Sequence, residues 1–171
     1  MSMKTNTIVA AIIEHDDLIL FMRRVKEPFK GTLILPGGKV EGGETADAAV
    51  EREIFEETGL RVKRKAVVGQ YDETVFHDGE ATHRHLLTIY HVLPTSFAFR
   101  DSYEGTLHAI KIADIPSLKQ EINASDYRMI ERAVFQKQQG FNAKIVVEKS
   151  GDRYSILSEE DLVHTGSDKL L

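Results

Sequence analysis

Three glutamates with helical spacing, Glu53, Glu56 and Glu57, are the side chains of this sequence best suited to chemistry. At about 100° per residue, they continue the stripe of small apolar residues that begins in residues 46–50. Carboxylates turned toward a protein interior repel one another and are costly to desolvate, which raises their pKa values. A cation among them relieves both costs. Oxygen ligands without cysteine or histidine favour Mg²⁺, with Mn²⁺ as an alternative.

The residues on either side predict a helix that carries these glutamates. Thr45 suits the N-cap position, Glu44 suits the positive N-terminal end, and Gly59 suits the C-terminal stop. These signals predict a helix over about residues 45–58. The preceding segment, residues 36–43, is rich in glycine. Because glycine has no Cβ, such backbone can approach a metal ion or a phosphate closely.

The loop and the helix together fit a longer pattern of fixed residues. The pattern consists of Gly38, Glu44, Arg52, Glu53, Ile54, Glu56, Glu57, Gly59 and Leu60. Positions 54 and 60 need only be apolar, so seven of these nine residues are fixed in type. If each of the seven has a background frequency of roughly one in fifteen, a chance match occurs at about one in 10⁸ start positions. The stretch resembles the Nudix box, with every defining position filled. The resemblance implies an α/β fold, the Nudix α/β/α sandwich with a mixed sheet between helices. It also implies hydrolysis of diphosphates linked to a nucleoside or another organic group.

The resemblance implies a role for each acidic residue. Glu53, Glu56 and Glu57 are expected to hold Mg²⁺ or Mn²⁺, with help from the carbonyl group of Gly37. Glu104 stands a few residues before a later strand, where many Nudix enzymes place a further carboxylate as metal ligand or general base. Either Glu53 or Glu104 is expected to take the proton from the attacking water.

Other residues are expected to position this cluster or to contact the substrate. Arg52 is expected to orient the glutamates through charge-assisted hydrogen bonds, and Glu44 to tie the loop to the helix. The backbone of Gly38 is expected to approach the substrate. Arg23, at the end of a predicted strand, is the candidate for a phosphate contact.

The choice of substrate depends on a second helix, predicted over residues 126–137. This part of the chain resembles the end of oxidised-purine triphosphatases of the MutT type, in which an acidic residue near the helix start reads the purine edge. Asp126 matches that position, so a nucleoside triphosphate such as 8-oxo-dGTP, cleaved to the monophosphate and pyrophosphate, ranks first. ADP-ribose or another nucleoside diphosphate sugar ranks second as the expected substrate. Enzymes of that type usually act as dimers with an extra N-terminal segment, which we do not recognise in this sequence. A nucleotide sensor without catalysis is the third reading, although such domains often have a broken box and an attached DNA-binding domain.

Composition narrows the class of partner. The chain has 171 residues, a net charge of −5 and no cysteine, which favours one domain without disulfide or thiolate chemistry. The negative charge argues against a broad binding surface for duplex DNA or an anionic membrane. No signal peptide or membrane-spanning run is recognisable. We therefore expect a cytoplasmic protein that acts on a small nucleotide as a monomer or homodimer, without nucleic acid or membrane partners.

The remaining apolar patterns predict the elements that position the site. Strands are predicted over residues 7–14, 18–23, 31–36, 65–74, 84–93 and 107–112, with a closing hairpin over 141–148 and 153–156. The order is typical of a single domain over residues 1–157, followed by a polar tail over 158–171. His83, His85 and His91 alternate along one predicted strand, and we interpret them as structural or surface residues.

Overall fold

The computed structural model describes residues 3–163, which form a mixed β-sheet with a helix on each face. The strands and helices, in chain order, are β1 (Lys4–His15), β2 (Leu18–Arg24), β3 (Leu33–Ile34), β4 (Gly37–Lys39), α1 (Ala46–Thr58), β5 (Val62–His77), β6 (Glu80–Pro94), β7 (Gly105–Lys111), α2 (Ala124–Ile130), β8 (Phe141–Ser150) and β9 (Arg153–Asp161). A 3₁₀ helix lies between β7 and α2, over Ile112–Leu118. The predicted order of elements is confirmed, although most strands are longer than expected.

The sheet runs in the order β3-β2-β1-β6-β5-β8-β9, with β4 paired to β1 and β7 paired to β2. The β1–β6 and β5–β8 pairs are parallel, and the other pairs are antiparallel. The short β4 brings the glycine-rich loop alongside the middle of β1, where Val9 pairs with Gly38. The loop that opens the predicted box is therefore held by a strand pairing.

Strand β1 shows why the sheet is covered on both faces. Val9, Ala11 and Ile13 are buried in the cluster that includes the apolar residues of α1, whereas Ala10 and Ile12 belong to the cluster that includes α2. Side chains alternate between the faces of a strand, so a nearly continuous apolar run serves two cores. The predicted mixed sheet between helices is confirmed.

Helix α1 has the predicted ends. The Thr45 side chain accepts a hydrogen bond from the backbone N–H of Ala48, which satisfies one free donor of the first turn. Gly59 ends the helix in the left-handed conformation, at φ 76°, and its N–H donates to the carbonyl of Phe55. Both ends are fixed by local chemistry, so the register of the glutamates along the helix is fixed as well.

Helix α2 begins earlier than predicted. Its N-cap is Asn123, whose side chain accepts hydrogen bonds from the backbone N–H groups of Ser125 and Asp126, so neither of these residues is the cap. The α-helix ends at Ile130 and continues as one wider π-helical turn over Glu131–Phe135. Asp126 is therefore in the first turn of the helix, beside the sheet.

The C-terminal end of the sheet extends beyond the predicted hairpin. Strand β9 runs to Asp161, so the first residues of the predicted tail pair with β8. Residues 164–171 of that tail lie outside the described residues. Within residues 3–163, no helix is long and apolar enough to span a membrane.

An ion-pair network joins β9 to the α2 end of the sheet. Arg132 is only 5% exposed and donates to Glu159 at 2.6 Å and to Asp161 at 2.7 Å. Arg128 pairs with the other oxygen of Glu159, and the hydroxyl of Tyr71 also donates to Glu159. Buried ions need such partners, because an unpaired charge in the interior is strongly destabilising.

Removal of this buried arginine should destabilise the fold. We expect Arg132→Met to lower the free energy of unfolding by about 2 kcal/mol, since Glu159 loses one of its two arginine partners inside the protein. Urea unfolding monitored by circular dichroism measures the change. Arg84→Met is the matched control, because Arg84 makes a bidentate pair with Asp72 but is 41% exposed. An equal loss in both variants would contradict the role given to the buried network.

Candidate active site

Glu57 is the most deeply buried acid of the predicted cluster. The residue is 3% exposed, and its carboxylate accepts a hydrogen bond of 2.8 Å from the backbone N–H of Gly37. Burial raises the pKa of Glu57 to about 9, the Gly37 N–H opposes that shift, and the nearby charges of Glu53 and Glu104 add to it. Without a cation, the carboxyl group therefore holds a proton at neutral pH.

Glu53 and Glu56 differ in their surroundings. The Glu53 side chain is 14% exposed, whereas that of Glu56 is 54% exposed. Burial raises the pKa of Glu53, while its bond to Arg52 opposes the shift. The carboxylate of Glu53 lies against the Cα of Gly38, where a Cβ would come within 2.3 Å of a carboxylate oxygen. Only glycine at position 38 leaves room for this carboxylate.

Glu104 approaches the cluster from the loop before β7. Its charge adds to the rise in the pKa values of Glu57 and Glu53, and its carboxylate accepts a hydrogen bond of 3.3 Å from the guanidinium of Arg24. The carbonyl of Glu104 also accepts from the N–H of Val25, so the β2–β7 pairing fixes its position. Asp101, another acidic residue of this loop, instead accepts a hydrogen bond from the backbone N–H of Leu107 in β7.

Arg52 braces the cluster from the exposed side. The guanidinium donates to both oxygens of Glu44, at 2.8 and 3.1 Å, and to Glu53 at 3.0 Å. It also donates to Glu56 at 3.3 Å and to the carbonyl of Lys39 at 3.1 Å. The hydrogen bond from Arg52 lowers the pKa of Glu44. One arginine thus connects the loop to the helix and holds two glutamates in place.

The chemistry of these donors fits a divalent cation. The interior side of the cluster combines three carboxylates, Glu53, Glu57 and Glu104; the charge of Glu104 adds to the rise in the pKa values of the other two, and Arg52 and Arg24 contact the edges. In residues 3–163, however, no set of three or more His, Cys, Asp or Glu side chains is arranged to hold an ion as it stands. Arg52 and the Gly37 N–H hold two of the carboxylates instead. The residues fit hard-cation chemistry, and these carboxylates must turn to coordinate.

The two arginines at the end of β2 face different parts of the protein. Arg23 donates to the carbonyl of Gly31 and to Glu121 at 2.7 Å. Arg24 bonds to Glu104 and lines a cavity beside the glycine-rich loop. The alternation of side chains along β2 could have predicted this difference. Arg24 lies on the same face of the strand as Leu20 and Met22, which pack on the α1 side.

A cavity of about 560 Å³ extends from the glycine-rich loop to the start of α2. Gly37, Gly38 and Arg24 line one part of it, and Asp126 and Asn123 line another. Apolar side chains from the sheet, from β3 and from the loop after β2 form much of the remaining wall. The cavity therefore joins a partly apolar chamber large enough for a nucleoside to the residues Gly37, Gly38 and Arg24, which contact the acid cluster, although no glutamate of the cluster lines the cavity itself.

Asp126 lies in the wall of this chamber. One oxygen accepts a hydrogen bond of 2.8 Å from the backbone N–H of Leu35. Burial raises the pKa of Asp126 to about 7, and the charge of Glu73 adds to the shift, while the Leu35 N–H opposes it. The group is therefore close to its midpoint of titration at neutral pH.

Sequence reasoning missed several polar residues of the chamber. His83 and His85, interpreted as structural or surface residues, both line it, whereas His91 lies elsewhere on β6 and pairs with Glu14 at 2.6 Å. Glu73 also lines the chamber and is 7% exposed. The alternation along each strand gives the face, but only the pairing of β5 with β6 brings these side chains together.

Substitution at the glycine that faces Glu53 tests the geometry of the acid cluster. We expect Gly38→Ala to weaken Mn²⁺ binding by roughly 10-fold or more, because the new methyl group displaces the Glu53 carboxylate. Paramagnetic resonance of free Mn²⁺ measures the affinity. Gly42→Ala is the matched control, since a Cβ at that position in the same loop meets nothing within 4 Å. Equal affinities in the two variants would rule out the proposed crowding at Glu53.

The raised pKa of Asp126 predicts a pH-dependent contribution to stability. An unfolded chain releases this proton near pH 4, whereas the folded protein keeps it up to about pH 7. The group therefore lowers the stability as pH rises from about 4 to about 7, with no further change above. Asp126→Asn cannot titrate, so we expect the stability of this variant relative to the wild type to increase from pH 5 to pH 8 in urea unfolding. A difference that is the same at both pH values would refute this.

Comparisons with known proteins agree with the architecture. The NUDIX domain family model matches residues 3–133. The chain is 56% identical over 63 residues to an ADP-ribose pyrophosphatase of Methanocaldococcus jannaschii, covering 37% of each chain. It is 27% identical over 135 residues to the 8-oxo-dGDP phosphatase of Homo sapiens, covering 77% of this chain and 39% of that protein. The chain thus spans about two fifths of the length of these two relatives.

A solved structure gives the same result for the fold. The MutT protein from Bacillus halodurans superposes with a TM-score of 0.76 at 24% identity, over 91% of this chain and 97% of that one. The match of the family model covers more than half of the chain and includes the loop, the helix and the glutamates described above. The protein therefore belongs to the NUDIX domain family, as the resemblance of the box predicted.

Proposed function

We propose that the protein is a Mg²⁺-dependent hydrolase that cleaves a phosphoanhydride bond in a nucleoside diphosphate derivative. The observation that carries this proposal is the cavity that runs from the Gly37–Gly38 backbone to Asp126. One ligand can place its phosphates at the acid cluster and its base in the chamber. Membership of the NUDIX family supports the same chemistry.

Five groups would hold the metal ion. We assign Glu53, Glu56, Glu57, Glu104 and the carbonyl oxygen of Gly37 to this role, with Mg²⁺ as the ion and Mn²⁺ as a substitute. A bound ion of this kind neutralises phosphate charge and makes water more acidic. The bond from Gly37 to Glu57 and the pairing of β2 with β7 beside Glu104 hold these two carboxylates near each other, which supports their assignment as ligands.

Residues of the chain accept the proton of the attacking water and hold the accepting carboxylate in place. Glu53 or Glu104 takes the proton from the attacking water; both are close to Glu57, and we leave the choice between them open. Arg52 is a positioning residue that keeps Glu53 in place, and Glu44 anchors Arg52. Arg52 and Glu44 thus hold a candidate base in place without reacting themselves.

Basic side chains would bind the phosphates. Of the two arginines at the end of β2, Arg24 lines the cavity, and we assign the phosphate contact to it rather than to Arg23, which is paired with Glu121. Lys39 lines the same part of the cavity, beside Gly38. Positive charge at this end matches the triphosphate of a nucleotide.

We propose a purine nucleoside triphosphate as the substrate, with 8-oxo-dGTP first, converted to the monophosphate and pyrophosphate. Asp126 would read the base edge from the chamber wall. ADP-ribose is the second candidate, because the relative with 56% identity over 63 residues is an ADP-ribose pyrophosphatase.

Hydrolysis of a panel of nucleotides with Mg²⁺, followed by release of phosphate or pyrophosphate, separates the two. Pyrophosphate from a triphosphate supports the first candidate, turnover of ADP-ribose alone supports the second, and binding without turnover supports a sensor.

The acid cluster makes a quantitative prediction for catalysis. We expect Glu53→Gln to lower kcat by about 10³-fold, since the amide can neither accept a proton nor balance the charge of an ion. Steady-state kinetics on the best substrate of the panel measures the effect. Glu51→Gln is the control on the same helix, because Glu51 is exposed and pairs with Lys65 away from the cluster. Comparable kcat values for the two variants would contradict the assignment.

A further inference from the structure

Three hydrogen-bonding side chains lie side by side across neighbouring strands of the chamber floor. In the register of the sheet, Asn6 of β1 pairs with His85 of β6, and His85 pairs with Glu73 of β5. All three line the cavity. We call these three residues the polar row. The next cavity-lining row toward the glycine-rich loop, in which Ile8 pairs with Leu87, is apolar, whereas Lys4 pairs with His83 in the next row in the other direction.

Glu73 determines how His85 presents its ring. One carboxylate oxygen of Glu73 lies 2.9 Å from Nδ1 of His85, and the other accepts a hydrogen bond from the hydroxyl of Ser125. With this carboxylate oxygen as the acceptor, Nδ1 carries the proton and donates it. In the neutral ring, Nε2 is then an acceptor. No hydrogen bond to Nε2 of His85 is present among residues 3–163, and the ring lines the cavity.

Two acceptors remain available on the part of the chamber wall formed by β6 and α2, whereas lysines line other parts of it. His85 offers Nε2, and Asp126 has one oxygen that is not used by Leu35. A ligand that satisfies this wall must present several N–H donors. The guanine edge presents two adjacent donors, the ring N–H and the amino group. Adenine presents an amino group beside an unprotonated ring nitrogen, which would face an acceptor.

We propose that His85 is a specificity-determining residue that selects guanine-type bases, and that Glu73 is the positioning residue that fixes its tautomer and orientation. The inference rests on the substrate site of the proposed function and adds residues that read the base from the sheet side. Asp126 reads it from the helix side. The selection acts through loss of hydrogen bonds with the wrong base, because an acceptor that faces an acceptor in a partly dry chamber is left unsatisfied.

Binding of GDP and ADP, each with Mg²⁺, tests the proposal by calorimetry. We expect the wild type to prefer GDP and His85→Ala to reduce the GDP-to-ADP preference by about 10-fold. Glu73→Ala should reduce it similarly, and the double variant should show little further loss, because the two residues act as one unit. Glu73→Gln should restore part of the preference, since its amide oxygen still accepts from Nδ1.

A control on the same strand separates recognition from structural support. His91→Gln removes another histidine–carboxylate pair of β6, with Glu14, which does not line the cavity. We expect this variant to keep the wild-type preference. If His85→Ala fails to fold, His85→Gln serves instead, with its melting temperature measured alongside. A wild type without preference for GDP, or an unchanged preference in folded His85 and Glu73 variants, would overturn the proposal.

This binding measurement is independent of catalysis. A protein that binds GDP selectively through His85 but hydrolyses nothing would refute the proposed function and support the recognition of guanine. A protein that hydrolyses nucleotides with Mg²⁺ and ignores the His85 substitution would support the proposed function and overturn the inference.

Discussion

Repulsion between buried carboxylates is the constraint on which the rest of the site depends. Glu57 is buried beside Glu53 and Glu104, and its pKa of about 9 means that a proton balances the charge when no cation is present. A divalent ion can take the place of that proton and stabilise all three carboxylates together. The protein thus contains an acidic cluster that is costly alone and becomes favourable with metal.

The fold maintains this arrangement with backbone contacts. The N–H of Gly37 fixes Glu57, the pairing of β4 with β1 fixes that glycine, and the pairing of β2 with β7 fixes Glu104. Arg52 is the main side-chain brace and restrains Glu53. These contacts bring carboxylates from α1 and from the connection between β6 and β7 together beside the glycine-rich loop, although they are distant in sequence.

Sequence patterns predicted the parts of the site that depend on local rules. Thr45 and Gly59 bounded α1 correctly, because capping is decided within a few residues. Helical spacing also predicted the burial of Glu57. It did not predict the exposure of Glu56, because this residue lies at the edge of the face that α1 packs against the sheet. The polar row of the chamber depends on the parallel pairing of β1 with β6, and such a register is not encoded in any single segment.

The central claim is that these carboxylates gather around a divalent cation. A crystal structure with Mn²⁺, with the ion located by its anomalous scattering, tests this claim most directly. The account predicts a peak within about 2.3 Å of carboxylate oxygens from both Glu53 and Glu57. A crystal soaked in saturating Mn²⁺ that shows no peak between these residues, and in which Glu57 still accepts from the N–H of Gly37, would contradict it.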